Sequence, residues 1–495
     1  MKKFTFFILA MLLASVLLVS CGPDKTSGDT SSPDVSGSVD DGLFEDLRSW
    51  DGGGRDFVIL VPGNEYPDRY KAIEVGAEEL NNEIINDAVY ERNLLVETKY
   101  NIDIKAYATE QGEYLTEMVR NNNNNGLHLY DIVTPMMNEA VALAAEDALY
   151  DLYSSEISAD LDLTKPWWDQ NANKDLAIGG KLFFSTGHIA ILDNYCTQCI
   201  IFNKTVVADH DLESPYALVT SKRWTYDEMN RQASAVTSDT DGVNGMTAAD
   251  TYGLWLNVFS GQSLFVGSGQ RFADLDENGT PRIAINDSGA AAVVEQLAAL
   301  IGGNKDVNLI ERIPTSMFTG TQDCYSYTTE AFANGRALFR HMCLADLNEL
   351  ADYQCSYGIL PIPKASEEQD SYYCLVSTPY VTAFSIPTIH PAPEEAALVM
   401  SAMAEASTDT LDYAYYEQVL KNRRVVDDES KEMLDIIFNN RVYDLGVVFN
   451  WGGIKDVMML GNAISETGTS QFASYWDSIE SSVTAAVNQT IDAFS

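Results

Sequence analysis

The run Phe57-Val58-Ile59-Leu60-Val61 decides the fold, because a continuous apolar stretch of this kind is typical of a parallel strand covered on both faces. After it, apolar side chains recur at spacings of three and four. This spacing predicts a helix whose buried stripe is formed by Ile73, Ala77, Leu80, Ile84 and Ala88.

The alternation of strand and helix continues downstream. The next predicted elements are a strand at 102–106, a helix at 114–120, a strand at 129–133 and a helix at 139–149. This order predicts an α/β protein with a doubly wound sheet. In such a sheet ligands bind outside the carboxyl ends of the strands, which here are 62–66 and 134–138. Glu65, Tyr66 and Met136 are therefore candidate ligand contacts.

The middle and the end of the chain continue the mixed pattern. Short strands are predicted at 181–185 and 194–202, and Thr225 with Glu228 has the spacing of a capping box at a helix start. Further helices are predicted at 289–301, from Pro393 onward, and over most of 410–494.

The N-terminus has the pattern of a secretory signal: Lys2 and Lys3 precede the apolar run Phe4–Val19, and a small residue then precedes Cys21. The end of the run resembles the cleavage box of bacterial lipoproteins. We expect residues 1–20 to be removed and Cys21 to carry a lipid, such as palmitate, that anchors the protein on the extracytoplasmic face of the cell membrane. An ordinary signal with a chance cysteine is the alternative. Residues 21–54, rich in Gly, Pro, Asp, Ser and Thr, are predicted to form a flexible tether.

The composition limits the possible partners. The chain has 73 acidic and 31 basic residues and a net charge of −42, so its field repels nucleic acid and anionic surfaces. Hydrophobic residues make up 46% of the chain, which is enough for substantial cores. A nucleic-acid partner is therefore not expected.

No metal or cofactor is predicted. Cys196 and Cys199 have a redox spacing, but they lie in a predicted strand, whereas a redox pair needs a helix N-terminus. Asp274–Gly279 imitates the start of a calcium loop, yet Ile285 occupies the position of the bidentate glutamate, and a polar turn between two strands is preferred. The sequence leaves open whether disulfides form among Cys196, Cys199, Cys324, Cys343, Cys355 and Cys374.

A set of short motifs carries a family resemblance. They are Tyr130–Val133 with Ala145–Leu152, Gly179–Phe184 with Cys199–Lys204, Arg223–Met229, Phe332–Phe339, Tyr357–Lys364, Asn439–Leu445 and Phe449–Gly453. In this order the chain resembles the extracellular solute-binding proteins of ABC importers, family 1, which include maltose-binding and other sugar-binding proteins. One departure is Ser221-Lys222-Arg223 before Trp224, where the family has Pro-Lys-Thr.

The resemblance implies a two-lobed periplasmic-binding-protein-like fold of type II. Each lobe would be a mixed sheet flanked by helices, with extra helices at the C-terminus. Lobe I would comprise 55–190 and 380–410, lobe II 191–379, and a C-terminal helical segment, 411–495, would pack on both lobes. The chain would cross between lobes near 187–196 and 375–382. A lipid-anchored, monomeric receptor without enzymatic activity would close around a solute in the interlobe cleft and deliver it to the membrane permease.

A sugar ligand calls for aromatic platforms together with carboxylate and amide groups. Trp224 begins a helix in this family and is left out. Beyond the strand-end residues, the candidate ligand contacts are Trp167, Trp168, Asp193, Asn194, Tyr195, Trp255, Gln262, Tyr380, Trp451 and Trp476.

Two alternatives to a sugar receptor stay open. One is a receptor of the same fold for a non-sugar solute, although the five histidines are scattered rather than clustered as a zinc receptor requires. The other is a lipid-anchored enzyme, most plausibly a glycoside hydrolase or a peptidase. The sequence has no His-Glu-x-x-His, Gly-x-Ser-x-Gly or P-loop motif, but paired carboxylates could be hidden among its acids.

Overall fold

The computed structural model describes residues 42–63, 71–110, 112–416, 427–462, 464 and 468–494. The predicted signal, Cys21, most of the tether, and Glu65 and Tyr66 lie outside these residues. From Phe44 onward the chain forms one compact unit. Phe44 is buried, and the Trp50 indole donates to Glu395 Oε1 at 3.1 Å, so the chain packs against the body before the first strand.

Lobe I contains a parallel sheet of β1 (Arg55–Val61), β2 (Ile102–Ala108) and β3 (Ile132–Val133) in the order β2-β1-β3. Helices α1 (Ile84–Tyr100) and α2 (Leu115–Asn124) connect these strands. The parallel order predicted from the alternation is confirmed.

The helix predicted from Ile73 is wrong at its start. Ile73 and Leu80 are 45% and 49% exposed, and the helix begins only at Ile84. Asn82 has a φ of 69°, a left-handed conformation that a right-handed helix cannot include.

Lobe I also includes a segment that returns from lobe II. Ser385 bridges antiparallel to Val133, and Phe384 bridges to Ser185, so the sheet becomes mixed. The strand predicted at 181–185 is wrong, because only Ser185 makes such a bridge to the returning segment. The helices of this region are α3 (Met137–Ala145), α4 (Ser158–Leu161), α5 (Gln170–Leu176) and α6 (Leu192–Tyr195).

Lobe II is built around a five-stranded mixed sheet in the order β10-β4-β9-β5-β8. The strands of this sheet are β4 (Gln198–Asn203), β5 (Tyr252–Leu256), β8 (Val307–Leu309), β9 (Ala337–Cys343) and β10 (Tyr357–Leu360). Only β4 runs against the others. A separate hairpin consists of β6 (Ala273–Leu275) and β7 (Pro281–Ile283). The strand predicted over 194–202 begins at Gln198 instead, because α6 occupies the preceding residues.

The helices of lobe II are α7 (Lys204–Asp209), α8 (Pro215–Thr220), α9 (Tyr226–Val236), α10 (Ser260–Gly267), α11 (Ser288–Ile301) and α12 (Cys324–Ala333). Thr225 caps α9, as predicted, by accepting the Glu228 N–H. The predicted polar turn lies between β6 and β7: Asp276 accepts backbone N–H groups of Asn278 and Thr280, and Asp274 pairs with Arg282.

The C-terminal part of the chain contacts both lobes. Its elements are β11 (Cys374–Leu375), α13 (Pro393–Ser407), a π-helix (Thr408–Asp412), α14 (Asp428–Asn439), β12 (Arg441–Val442), α15 (Leu445–Phe449), a 3₁₀-helix (Trp451–Met458) and α16 (Phe472–Phe494). The start of α13 at Pro393 is as predicted. Helix α14 packs on β10 of lobe II, whereas α16 contacts α3 of lobe I and β7 of lobe II. Short 3₁₀-helices lie at Ile310–Arg312, Thr315–Met317, Leu344–Leu350 and Thr378–Tyr380.

Within the described residues no helix combines the length and the apolar character needed to cross a membrane. All six described cysteines are free thiols.

Candidate ligand-binding cleft

A cavity of 370 Å³ lies at the carboxyl ends of β5 and β9, where open α/β sheets bind their ligands. Gln198 reaches the same edge from the start of β4, because β4 runs in the opposite direction. The second crossing borders the cavity with Leu375, Ser377, Pro379 and Tyr380, and the C-terminal segment adds Val447 and Lys455. We call this cavity the cleft.

Phe259 provides an exposed aromatic surface in the cleft. Asn257 follows β5 and accepts the Phe259 N–H through its side-chain Oδ1 at 3.0 Å, which is an Asx turn. The turn holds the Phe259 ring at the start of α10, where it is 45% exposed. A ring fixed in this way costs little conformational freedom when a flat, apolar ligand face stacks on it.

Two polar side chains of the cleft have buried atoms without a hydrogen-bond partner among the described residues, namely Gln198 Oε1 and His341 Nε2. The other ring nitrogen of His341 lies 2.8 Å from Ser260 Oγ. Burial, with a contribution from Arg340, lowers the pKa of His341 to about 3. His341 is therefore neutral at physiological pH. Both atoms therefore lack the partner that buried polar groups nearly always have.

Lys455 is half-buried in the wall of the cleft. Its backbone carbonyl accepts the Gln262 side-chain amide at 3.0 Å, which joins the 3₁₀-helix Trp451–Met458 to α10. Burial lowers the pKa of its ammonium group.

Asp346 is the one carboxylate among the described lining residues of the cleft. Its Oδ2 accepts the Cys343 N–H at 3.2 Å and so caps the 3₁₀-helix that follows β9. Tyr325, also in the lining, donates to Glu311 Oε1 at 2.8 Å, which fixes its ring.

A second cavity, of 410 Å³, lies at the first crossing, and we call it the hinge cavity. Arg441 of β12 is central to it. One guanidinium nitrogen lies 2.7 Å from Asp169 Oδ2, and the other lies 3.2 Å from Asp193 Oδ2 and donates to Asn194 Oδ1 at 2.6 Å. Burial raises the pKa of Asp193 to about 6, although the charge of Arg441 opposes the shift. Arg441 thus binds three of the polar groups around it, although its Nε, like two atoms of the cleft, is buried without a partner among the described residues.

Three solved structures resemble most of this chain. The cyclo/maltodextrin-binding protein complexed with maltotetraose aligns with a TM-score of 0.53 at 13% identity, over 90% of this chain and 97% of that one. The maltose-binding periplasmic protein MalE of Listeria monocytogenes, in complex with maltose, gives 0.54 at 13% identity, over 88% and 98%. UspC of M. tuberculosis gives 0.55 at 15% identity, over 87% and 100%.

The chain has the maltose-binding-protein fold. The fold predicted from the sequence motifs is thereby confirmed. A scan against protein-family models and a search of curated proteins find no match.

Within the maltose-binding-protein fold, the predicted ligand contacts fall into separate groups. Gln262 and Tyr380 line the cleft, whereas Trp168, Asp193 and Asn194 line the hinge cavity. Among the described residues, neither lining includes the other candidates, which are Met136, Trp167, Tyr195, Trp255, Trp451 and Trp476.

Several of these other candidates are packed in the interior. Trp255 is fully buried in β5, and Trp451 is buried with its indole donating to Thr490 Oγ1 at 2.8 Å. Met136 is buried at the start of α3, Tyr195 is buried in α6, and Trp476 is buried on α16. Trp167 is partly exposed, with Lys165 over its ring.

Sequence reasoning missed most of the cleft. Asn257 and Phe259 could have been found, because they follow the apolar run Tyr252–Leu256 in the same way that the strand-end candidates follow β1 and β3. His341 lies inside β9, and Lys455 lies in a 3₁₀-helix distant in sequence from the rest of the cleft. No local pattern identifies either residue.

Two clusters of potential metal ligands occur in the described residues. In the first, His390 Nδ1 accepts the Ala392 N–H, so Nε2 carries the proton and faces Asp131 at 3.2 Å. A ring nitrogen that carries a proton cannot bind a metal. In the second, Asp250 accepts backbone N–H groups of Thr240, Asp241 and Thr247, as in a polar turn. Neither arrangement fits a metal centre.

Proposed function

We propose that the protein is the lipid-anchored, extracytoplasmic receptor of an ABC importer and binds a sugar or oligosaccharide in the cleft. The observation that carries this proposal is the combination, in one cavity lining, of an exposed ring, Phe259, with the unpartnered polar atoms of Gln198 and His341. Stacking surfaces edged by hydrogen-bonding groups match the faces and hydroxyls of a sugar. Proteins with the same fold are named for binding maltodextrin and maltose.

The proposed cycle includes closure of the two lobes and delivery of the solute to a permease. Lobe I would span 55–190 and 380–410, and lobe II 191–379, with 411–495 packing on both. A solute that contacts both lobes binds the closed protein more tightly than the open protein. This difference in affinity sets how far the equilibrium shifts toward the closed state. Closure should reduce the radius of gyration in small-angle X-ray scattering on addition of the solute, and an unchanged scattering curve at saturation would argue against it.

A glycoside hydrolase is the competing enzyme class. Such an enzyme needs two carboxyl groups flanking the scissile bond. The described lining of the cleft supplies Asp346 alone, and its Oδ2 is already bonded to the backbone of Cys343. This composition supports a receptor over a hydrolase.

A panel of oligosaccharides tests the proposal by thermal denaturation. A solute at one hundred times its dissociation constant should stabilise the protein by about 2.7 kcal/mol. Chromatography of the same samples should recover the solute unchanged. A panel without any shift, or with progressive hydrolysis, would displace the receptor proposal in favour of a different solute class or an enzyme.

A further inference from the structure

The ammonium group of Lys455 is the unusual feature of the cleft. Lys455 lines the cavity and is half-buried, yet its side chain makes no hydrogen bond or ion pair within the described part of the chain. In a protein with 73 acidic side chains and a net charge of −42, a partly desolvated cation without an anionic partner is unexpected.

The position of Lys455 is fixed by its surroundings. The Gln262 amide holds its backbone carbonyl, and Ile454 and Val457 on either side are buried. The neighbouring Asp456 exerts only a through-space attraction on the ammonium group. Asp346, the carboxylate in the same lining, has its Oδ2 committed to the Cys343 N–H.

These contacts leave a cation, two neutral polar side chains and an aromatic ring in the lining of one cavity. Neutral sugars need only the ring and the neutral groups. An ammonium group that has lost part of its hydration gains most from an anionic acceptor, since charge-assisted hydrogen bonds are about twice as strong as neutral ones.

We propose that the solute is an anionic carbohydrate whose carboxylate or sulfate group pairs with Lys455. This inference rests on the proposed receptor function and specifies the class of solute for the same cleft. The acidic surface does not prevent such binding, because exposed charges are screened beyond about 8 Å at physiological ionic strength. The contact at Lys455 therefore decides whether the cleft prefers an anionic or a neutral carbohydrate.

Isothermal titration calorimetry of the whole chain tests the inference with three probes: trigalacturonate, a sulfated disaccharide and neutral maltotriose. We expect at least one anionic probe to bind about tenfold or more tightly than the neutral one, which corresponds to about 1.4 kcal/mol. Higher salt should weaken the anionic probe and leave the neutral one unchanged.

The variant Lys455→Met should abolish the preference for the anionic probe, and Lys455→Arg should retain it in part. Lys305→Met is the matched control, because Lys305 is exposed and outside the cleft lining, and it changes the net charge by the same amount. Thermal denaturation of each variant checks that folding is intact.

Each outcome separates the two proposals. A preference for the carboxylate or for the sulfate that depends on Lys455 supports the inference and identifies the group. Equal binding of the neutral probe, or an anionic preference unchanged by Lys455→Met, overturns the inference and leaves the sugar receptor standing. Binding of none of the three probes overturns the inference, and the oligosaccharide panel then decides the receptor proposal separately.

Discussion

At the scale of single residues, Phe259 shows how a local turn prepares a contact. The Asx turn at Asn257 and the start of α10 fix the backbone on both sides of Phe259. The ring is therefore exposed on a backbone that is held in place. An aromatic side chain in such a position is available to a ligand and is not part of the core.

Phe259→Ala is therefore expected to weaken sugar binding by about tenfold, since an aromatic contact is worth roughly 0.5–1.5 kcal/mol beyond its buried area. The free energy of unfolding should change by less than about 1 kcal/mol, as for other exposed substitutions. Calorimetry and urea denaturation measure the two quantities. Tyr114→Ala, which removes a 61% exposed ring at the start of α2, should leave binding unchanged; equal losses in both variants would show that Phe259 has no special role.

Glu74 is a buried carboxyl group beside the second crossing. Its Oε1 accepts the Thr382 hydroxyl at 2.6 Å, and Oε2 has no partner among the described residues. The pKa of Glu74 is raised to about 7, chiefly by burial. The folded state therefore retains a proton that the unfolded state has lost between pH 4.5 and 7, and stability falls as the pH rises through this window.

Glu74→Gln keeps the hydrogen bond from Thr382 and removes the titration. The variant should be more stable than the parent protein at pH 7.5, by at most about 3 kcal/mol at 1.36 kcal/mol per pKa unit. The gain should vanish near pH 4.5. Urea denaturation across this range measures it, with the exposed Glu78→Gln as control. A gain independent of pH would contradict the assigned titration.

Residue roles in the cleft were only partly predictable. Trp255 and Gln262 bracket a Gly/Ser-rich stretch, and Tyr380 lies at the predicted second crossing. Gln262 and Tyr380 line the cleft, whereas Trp255 lies inside β5 and is fully buried. Residue type indicates what a side chain can do, whereas only the fold determines which face of a strand it occupies.

At the scale of elements, continuous apolar runs predicted strands well because parallel strands are covered on both faces. The helix predicted from Ile73 failed because the segment before Ile84 lies against β2 instead. A side chain at Gly76 would come within 2.7 Å of Ala106 Cβ. In this segment apolar residues recur at helical spacing although the backbone before Ile84 is not helical.

The packing of α9 on β5 depends on Gly253. A Cβ atom at this position would lie 2.2 Å from the Ala233 carbonyl oxygen, and the neighbouring backbone cannot move away easily. The close approach places the helix directly on the strand that leads to Asn257 and the cleft.

Gly253→Ala should destabilise the protein by about 1–3 kcal/mol, the usual cost of overpacking. The matched control is Gly289→Ala in α11, where the nearest atoms belong to the flexible Gln270 side chain at 3.3 Å. That variant should be neutral or slightly stabilising. Thermal and urea denaturation compare the two, and equal stability of both variants would contradict the close packing.

At the scale of the whole molecule, Arg441 connects parts of the chain that are far apart in sequence. Its guanidinium joins Asp169 to Asp193 and Asn194 at the first crossing. Its own strand, β12, pairs with β11 at the second crossing. Asp193 and β11 are thus both joined to the C-terminal segment. The sequence predicted that this segment packs on both lobes, but it could not identify Arg441, because its ion pairs depend on long-range contacts.

Arg441→Met should destabilise the protein by about 3–5 kcal/mol, because it leaves two buried carboxylates without a counter-charge. The loss should shrink toward pH 4, where Asp193, whose pKa burial raises to about 6, takes up a proton. Arg231→Met is the control, since its pair with Glu228 is exposed and is expected to contribute less than about 1 kcal/mol. Urea denaturation at pH 7.5 and pH 4 measures both variants; similar losses would show that the buried pairs contribute little.

The last helix has a consequence for biosynthesis. Because α16 contacts both α3 and β7, these two elements cannot complete their packing until α16 has been translated. Domains usually fold in the order in which they leave the ribosome. Here two elements that are synthesised earlier gain contacts from a helix that is synthesised after both of them.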